Sequence, residues 1–374
     1  MPSAKARPAT RAAPDPTTSR DTPPSHLVRR ARDRRRVTTS FVLVLLAAVG
    51  AVAVGLLAGP VHISFADVVG ALARRIGGKA DVWRWTDIAV VDVRLPRVLV
   101  GFVAGGALAV AGAALQGLFR NPLAEPGVIG ISSGASLGAV LAIYFHLARR
   151  AVWLLPACAF AGAAADALLV FAIAARQGRG RVFTTTLLLV GVAVMALNVS
   201  LTTFVLSISL ATYDVGREVM HWLLGGLEGR MWDHLLLSAP AVVVGTVLIA
   251  AHARDLDALL LGEVSAQSVG VDVPRVRVRL VLATALIVGA AVAVAGPIAF
   301  VGLLVPHVLR LAVGAPHGAL IPLSFFGGGI FLVIADVVAR TVSQDLPIGV
   351  VTAVVGAPVF LVLLVRRRVE VAGP

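Results

Sequence analysis

The chain has 374 residues, of which 58% are hydrophobic and only 14% are charged, whereas an ordinary soluble domain carries roughly 25% charged residues. So few polar side chains cannot cover a water-facing globule of this size, which excludes a soluble enzyme, a disordered protein and a disulfide scaffold. The net charge of +13 would indicate nucleic-acid binding in a soluble protein. In a chain solvated by membrane lipid, the positions of the Lys and Arg residues matter more than their sum, and we expect no nucleic-acid partner.

The N-terminal segment 1–37 differs in composition from the rest of the chain. It contains six Pro and ten Lys or Arg residues but almost no large apolar ones, so it cannot bury enough surface to offset the entropy of ordering. We predict a disordered basic tail. The arginine cluster at 29–36 directly precedes the first apolar run, where it predicts a topology anchor on the cytoplasmic side. Specific binding of lipid or nucleic acid is the alternative.

Ten apolar runs follow the tail. Each is a candidate membrane-spanning helix, because about 20 apolar residues cross a bilayer. The weakest run is short and contains Pro306 and His307. The sequence therefore predicts an all-α membrane protein with about ten transmembrane helices. They cover roughly residues 38–59, 97–118, 128–147, 151–175, 182–208, 233–252, 276–296, 298–312, 319–338 and 347–365.

An even number of spans places both termini on the same side, which the basic cluster predicts to be the cytoplasm. We expect a transmembrane domain over 38–366 and a short cytoplasmic C-terminus at 367–374. An unusually large number of arginines then falls on the outer side.

An internal repeat is a further feature of the sequence. Segment 107–122 resembles 291–306 in its small residues and in its final proline. Five predicted spans separate the two copies, so they would have opposite orientations, as in transporters with a central pathway. Shared small-residue packing faces are the alternative.

Motifs for ATP hydrolysis or metal chemistry are absent from the sequence. No G-x-x-x-x-G-K-[ST] pattern occurs, so the chain has no P-loop of its own. It has no H-E-x-x-H motif, and its eight histidines form no cluster with the spacing of metal ligands. We expect a chain that is not an enzyme and that holds no cofactor or metal.

The segment 120–127, Arg-Asn-Pro-Leu-Ala-Glu-Pro-Gly, separates the second and third predicted spans. Its two prolines and its glycine break helix geometry. Turn formation explains these three residues, but it leaves Asn121 and Glu125 unexplained.

The segment 253–275 is too polar to span a membrane and lies on the predicted cytoplasmic side. Asp, Glu and Gln occupy positions between apolar residues that recur at helical spacing, namely Leu256, Leu259, Leu260 and Val264. This pattern predicts a pair of short surface helices. The helix pair would either couple the chain to a partner protein on the cytoplasmic side or be an ordinary amphipathic connector.

Three arginines lie on the predicted outer face: Arg94 and Arg97 flank Pro96 before the second span, and Arg340 follows the ninth. Pro96 is expected to hold the chain extended before the helix. Guanidinium groups bind carboxylates bidentately, so the arginines predict a clamp for a docking protein. Ordinary solvated surface arginines are the alternative.

Two acidic residues, Asp166 and Asp336, stand in apolar surroundings. Intramembrane acids often mark ion pathways, and Asp166 lies in the middle of a predicted span. Because no second embedded ionisable residue completes a relay, a pairing or helix-packing role is favoured, with proton coupling as the alternative.

These segments together resemble the FecCD-type permeases, the family that imports iron–siderophore complexes, haem and cobalamin. The resemblance runs from about residue 40 to 366. It rests on RLPR (94–97), GLFRNPLAEPGVIGISSGA (117–135), HWLLGGLEG (221–229), LLLGEVSAQSVGV (259–271), GPIAFVGLLVPHVLRL (296–311), ADVVAR (335–340) and LPIGVVTAVVGAPVFLVLL (346–364).

The resemblance implies a BtuC-like (type II) ABC importer fold in a bacterial plasma (inner) membrane. Two permease subunits, identical or different, would assemble with a pair of separate ATPase subunits, which would bind the ATP. A periplasmic or lipid-anchored substrate-binding protein would deliver the cargo to the outer face. Spans five and ten, with a short outer helix near 218–228, would line the path. The basic tail departs from the family pattern and receives no role.

The resemblance also implies roles for single residues. Those that meet acidic residues of the binding protein would be Arg94, Arg97 and Arg340. Segment 259–271 would be a coupling helix pair seated in a groove of the ATPase, with the positions Leu260, Gly262, Glu263, Ala266 and Gly270. The cytoplasmic gate would be formed by Asn121, Leu123, Thr184 and Thr185.

Ferric siderophores are the cargo that we expect, moved by alternating access and powered by ATP in the partner subunits. Cobalamin or haem is the alternative within the same family. An ion-coupled secondary transporter is the alternative of another class. It would require several paired embedded acids, whereas the sequence contains essentially one, Asp166.

Overall fold

The structure is a computed structural model that describes residues 25–59, 61–78, 84–177, 184–314, 316–343 and 346–371. Within these ranges the regular structure is helical. In chain order the helices are α1 (Ser25–Leu57), α2 (Phe65–Ile76), α3 (Trp85–Leu118), α4 (Ile131–Tyr144), α5 (Leu154–Gln177), α6 (Thr184–Ser209), α7 (Tyr213–Leu223), α8 (Trp232–Ala251), α9 (Ala253–Leu260), α10 (Glu263–Ser268), α11 (Val273–Ala295), α12 (Val301–Val313), α13 (His317–Val342) and α14 (Ile348–Val371).

Within the described residues, seven helices are long and apolar enough to cross a membrane, namely α1, α3, α5, α6, α8, α11 and α13. Three further apolar helices, α4, α12 and α14, have shorter apolar lengths. Together they match the ten predicted spans one for one, so the predicted all-α membrane architecture is confirmed. The other helices are short connectors at the ends of the bundle.

The first helix begins earlier than the hydropathy pattern predicts. α1 starts at Ser25, so residues 25–37, predicted as part of a disordered tail, are helical. Arginine is a good helix former, and no proline interrupts the chain between Ser25 and Leu57, so the helix continues past the apolar run. Residues 1–24 lie outside the described residues, and the tail there stays a prediction.

The expectation that Pro96 holds an extended chain is wrong, because α3 passes through Pro96 without a break. Arg94 and Leu95 have helical φ values of −76° and −62°. The segment Ile88–Arg94 is π-helical, with Leu95 N bonded to Val90 O. This wider turn accommodates the proline ring, which has no N–H to contribute to the hydrogen-bond ladder.

Helices α3 and α11 form the centre of the bundle, and most of their side chains are buried. Both are rich in Ala, Gly and Val, which lets neighbouring helices approach closely. A β-carbon at Gly112 would overlap the backbone of Gly302 in α12. The peripheral helices α1, α5, α6 and α8 direct most of their side chains outward, as lipid-facing helices do.

Two segments lie largely inside the bundle and shorten the spans that follow them: 124–130, which contains the 3₁₀ turn Pro126–Ile129, and the irregular stretch 296–300. They meet where Glu125 Oε1 accepts a hydrogen bond from Phe300 N at 2.8 Å. Phe300 has φ +68° and directly precedes α12, so the carboxylate satisfies a free N–H at this helix start. This contact gives Glu125 a structural role that turn formation alone does not. Irregular backbone is tolerated at membrane depth only where protein covers it.

Successive spans alternate in direction, so the bundle has two ends. The coupling end carries α9, α10 and the last turn of α3. The arginine end carries Arg94, Arg97 and Arg340, together with α2 and α7. The residues that the sequence singles out for docking and for coupling therefore lie at opposite ends.

Helix α2 at the arginine end is not predicted by the hydropathy pattern. It begins with a capping box, in which Ser64 Oγ accepts from Asp67 N at 3.2 Å and Asp67 Oδ2 accepts from Ser64 N at 3.3 Å. The Ser64 hydroxyl also donates to Asp67 Oδ2, which lowers the pKa of this carboxyl. Arg74 pairs with Asp87 of α3 at 2.6 Å and ties α2 to the bundle.

Candidate coupling and docking sites

The segment 253–275 forms the predicted pair of short helices, α9 and α10. The predicted apolar stripe divides between two surfaces, because Leu256 and Leu259 are buried against the bundle whereas Val264 is exposed. Gly262 lies between the helices with φ +113°, a conformation that a residue with a β-carbon rarely adopts. This glycine therefore sets the angle between α9 and α10.

An apolar surface covers the outside of this helix pair. Leu261, Val264 and Val269 are all exposed, while Ala266 is buried and anchors α10 to the bundle. Gly270 follows α10 with φ +89° and turns the chain toward α11. An exposed apolar patch on a short connector is typical of a surface that another protein covers.

An ion pair and a hydrogen-bonded carboxylate–histidine contact fasten the helix pair to the spans. Arg277 Nη2 of α11 lies 2.6 Å from Glu263 Oε1. His317 Nδ1 of α13 lies 2.6 Å from Asp257 Oδ1, which also accepts from His317 N at 2.9 Å. Asp257 therefore caps the start of α13 from outside that helix. Of these four residues only Glu263 is a predicted coupling position, because the partners are distant along the chain.

The four predicted gate residues lie in two places at the coupling end. Asn121 Oδ1 accepts from Leu123 N at 3.0 Å and fixes the turn after α3, with the Leu123 side chain exposed. Helix α6 begins at Thr184, and Thr185 is exposed in its first turn. The Thr184 side chain lies outside the described part of the structure. Closure of a pathway by these residues stays a prediction.

Arg94 at the arginine end is a buried cap for α1. Its Nη1 donates to the carbonyls of Leu56 and Leu57 at 2.8 and 3.0 Å, and its Nη2 donates to Val61 O. Helix C-termini leave four carbonyls without an intrahelical partner, and a guanidinium carries enough donors to satisfy several of them. Arg94 therefore fixes the end of the first span.

Arg97 and Arg340 share one buried carboxylate, Asp336. Arg97 contacts Asp336 Oδ1 through Nη2 at 2.8 Å and through Nε at 3.1 Å. Arg340 Nε lies 3.0 Å from Asp336 Oδ2, and its two Nη atoms donate to the carbonyls of Ala58 and Gly55. Asp336 therefore has the ion-pairing role that the sequence favours for an acidic residue in apolar surroundings.

The three arginines differ in how much of each guanidinium remains accessible. The Arg97 side chain is 21% exposed, whereas that of Arg340 is 7% exposed and that of Arg94 is buried. All three have partners within the chain. A docking role for them stays a prediction, and Arg97 is the one best placed for it.

Asp166 in α5 is buried among polar groups of neighbouring helices. Asn198 of α6 donates through Nδ2 to Asp166 Oδ2 and to Ser133 Oγ of α4. A β-carbon at Gly134 would overlap the Asp166 carboxyl group, so α4 approaches this side chain directly. The described contacts join three helices and fit the favoured packing role better than a proton relay.

A cavity of about 450 Å³ opens beside α7 at the arginine end. Charged side chains of both signs line it, including Arg217, Glu218 and Glu228. Arg230 also lines it, and burial lowers the pKa of this guanidinium to about 10. The cavity lies next to the outer helix that the resemblance places along the path, where a cargo would enter.

Comparisons with known proteins place the chain among transport proteins. The sequence profile described as the FecCD transport family matches residues 43–366. A solved chain described as the inward-facing conformation of a candidate metal-chelate type ABC transporter is 28% identical. It superposes with a TM-score of 0.75, covering 88% of this chain and 99% of that one.

Three curated relatives are similar to about three quarters of this chain. The cobalamin import system permease protein BtuC of Halobacterium salinarum is 46% identical over 287 residues, 76% of this chain and 75% of the relative. The vitamin B12 import system permease protein BtuC of Vibrio cholerae is 45% identical over 282 residues, 75% of this chain and 83% of the relative. The uncharacterized ABC transporter permease protein YvrB of Bacillus subtilis is 40% identical over 285 residues, 75% and 79% of the two chains.

Proposed function

The chain belongs to the FecCD transport family and is a multi-pass permease of an ABC importer, and we propose that its cargo is cobalamin. The observation that carries this proposal is the similarity to permeases named for cobalamin or vitamin B12 import, at 46% and 45% identity. Ferric siderophores, the cargo that the sequence favoured, are the rival to be tested. The solved chain described as metal-chelate type, at 28% identity, is the similarity that supports them.

The proposed mechanism uses the two ends of the bundle for two partners. A substrate-binding protein would dock at the arginine end, with Arg97 as its main basic contact, and release cobalamin toward the cavity beside α7. A separate ATPase pair would seat the exposed patch Leu261, Val264 and Val269. Because ligands shift a pre-existing equilibrium only by their differential affinity, ATP binding would act by favouring one arrangement of the coupling segment. Both termini would be cytoplasmic in this arrangement.

An uptake experiment tests the cargo. A strain lacking the gene is supplied with labelled cobalamin or with labelled ferric siderophores, and uptake is measured with and without the restored gene. We expect restoration of cobalamin uptake only. Restoration of siderophore uptake with no effect on cobalamin would reject the proposed cargo in favour of the rival.

A variant at Gly270 tests whether uptake depends on the coupling segment. Gly270→Trp places a bulky side chain at a residue with φ +89° on the coupling segment, so the variant should insert into the membrane but no longer support cobalamin uptake.

The energy source is tested in proteoliposomes that contain the permease and its ATPase subunits. Transport there should require ATP and persist when the proton gradient is collapsed. Transport driven by the gradient without ATP would support the ion-coupled alternative.

A further inference from the structure

Helices α3 and α13 run antiparallel in direct contact across the whole bundle. As the residue number rises along α3 through 97, 105 and 117, that of the contacting residue on α13 falls through 336, 328 and 317. The two helices therefore keep one register over about 20 residues. At 1.5 Å per residue this is about 30 Å, the thickness of the hydrocarbon core of a bilayer.

Glycines make this contact close and resistant to sliding. A β-carbon at Gly105 would overlap the carbonyl of Gly328, and one at Gly329 would meet the ring of Phe102 at 2.6 Å. Backbones in contact at this distance interlock, and packed interiors are bistable rather than continuously deformable. The α3–α13 pair should move as one body.

The pair is fastened at both ends. At the arginine end, Arg97 of α3 forms a bidentate ion pair with Asp336 of α13, in which Nη2 donates to Oδ1 at 2.8 Å and Nε donates to Oδ2 at 3.3 Å. At the coupling end, Gly117 of α3 packs against the buried His317 ring, since a β-carbon there would lie 2.6 Å from His317 Nε2.

Helix α9 of the coupling segment is attached to this same end. Asp257 of α9 binds both the ring and the backbone N–H of His317. Leu256, its neighbour, is buried and would lie 3.1 Å from a β-carbon at Gly117. The coupling segment therefore touches α3 and α13 together at one point.

We propose that the α3–α13 pair is a strut that links binding-protein docking at Arg97 to the coupling segment, with Asp257 as the positioning residue that joins strut and segment. The proposal rests on the proposed function, because it needs a docking partner at one end and an ATPase at the other. Beyond the proposed function, it names α3 and α13 as the helices that couple the two ends and the Asp257–His317 contact as the one that transmits this coupling.

The test compares variants at two carboxylates of the same short helix. Asp257→Ala removes the contact with His317, and Asp257→Asn keeps an acceptor oxygen but removes the charge. Asp255→Ala is the matched control, since Asp255 has no hydrogen bond or ion pair among the contacts that the structure describes. Each permease is reconstituted in liposomes with its ATPase and binding protein. The measured quantity is the ratio of ATP hydrolysis rates with and without cargo-loaded binding protein.

We expect the ratio to fall at least about fivefold in Asp257→Ala, which is the lower end of measured coupling factors between two sites. In Asp257→Asn the ratio should fall less. In Asp255→Ala it should stay at the wild-type value. Co-purification of the ATPase at wild-type levels with all three variants separates lost transmission from lost assembly. If Asp257→Ala fails to insert, the comparison of Asp257→Asn with Asp255→Ala decides.

A wild-type ratio in both Asp257 variants would overturn the strut, as would an equal fall in the control. Failure of the proposed function gives a different result, because the wild-type complex itself would then respond to no binding protein.

Discussion

Arg94 and Arg97 stand three residues apart, yet the structure places them in different surroundings. Arg94 is buried and donates to two carbonyls in the last turn of α1 and to one beyond it. The Arg97 side chain stays partly accessible beside Asp336. Hydrogen bonds from charged groups contribute about 1.5–3 kcal/mol each when a partner is removed. Residue spacing alone cannot separate a helix cap from a docking residue, since both need an arginine at the end of a span.

The first prediction separates these tasks. Arg94→Ala should lower the free energy of unfolding by about 2–3 kcal/mol because carbonyls at the end of α1 lose their donors. Arg97→Ala should lower it less but weaken binding-protein affinity, measured by titration on purified permease. If Arg94→Ala retains wild-type stability, or if Arg97→Ala binds normally, the assignment of the two roles is wrong.

The second prediction concerns Asp336, the carboxylate between two arginines. Asp336→Ala leaves Arg97 and Arg340 facing each other without a counter-charge, and breaking a buried ion pair costs about 3–5 kcal/mol. Glu218→Ala is the control, because Glu218 forms an exposed pair with Arg149 at 3.9 Å and such pairs contribute about 0–1 kcal/mol. Thermal unfolding in detergent measures both. Equal losses in the two variants would contradict the buried network.

At the scale of the element, the third prediction compares two glycines of α13. Gly328 faces the backbone of Gly105, whereas a β-carbon at Gly318 would meet no atom within 4 Å. Gly318→Ala should be neutral or stabilise by about 0.5–1 kcal/mol through helix propensity. Gly328→Ala should destabilise by about 1–3 kcal/mol, as overpacking does. Unfolding temperatures of the two variants measure the difference, and similar values would exclude a close contact between α3 and α13.

The helices that the sequence predicts well are those defined by hydropathy. All ten predicted spans have counterparts, because a helix at membrane depth is apolar whether it faces lipid or lies buried in the bundle. Helix α2 was missed because its apolar residues form a short stripe among charged ones. The sequence does not predict the π-helical turn before Pro96, because proline statistics favour an extended predecessor.

Side-chain partners are the part that the sequence could not predict. Glu125 pairs with Phe300, and Asp257 pairs with His317, across long separations along the chain. Helical spacing places residues on a face but says nothing about which other helix that face meets. Glu263 was singled out through the family resemblance, while its partner Arg277 became visible only in the folded bundle.

At the scale of the whole molecule, the orientation in the membrane is not fixed by the fold. Without the basic segment before α1, the two predicted sides carry nearly equal numbers of Lys and Arg, so the arginine cluster at 29–36 decides the prediction. The proposed function needs the coupling end in the cytoplasm, where ATP is available. The distribution of Lys and Arg and the proposed function therefore both predict, independently, that the coupling end lies in the cytoplasm.

The fourth prediction tests this orientation with two exposed positions at opposite ends. Ile76→Cys at the arginine end and Val264→Cys at the coupling end replace side chains that are 88% and 81% exposed, in a Cys158→Ser background that removes the single native thiol. A membrane-impermeant maleimide added to intact cells, or to spheroplasts where an outer membrane is present, should label Ile76→Cys alone. Permeabilised cells that express the permease without its ATPase subunits control for accessibility. Both variants should react there, because the proposed ATPase contact would otherwise cover Val264. Labelling of Val264→Cys alone in intact cells would show the opposite orientation. It would also contradict docking at the arginine end, because both predictions follow from the same placement of the first span.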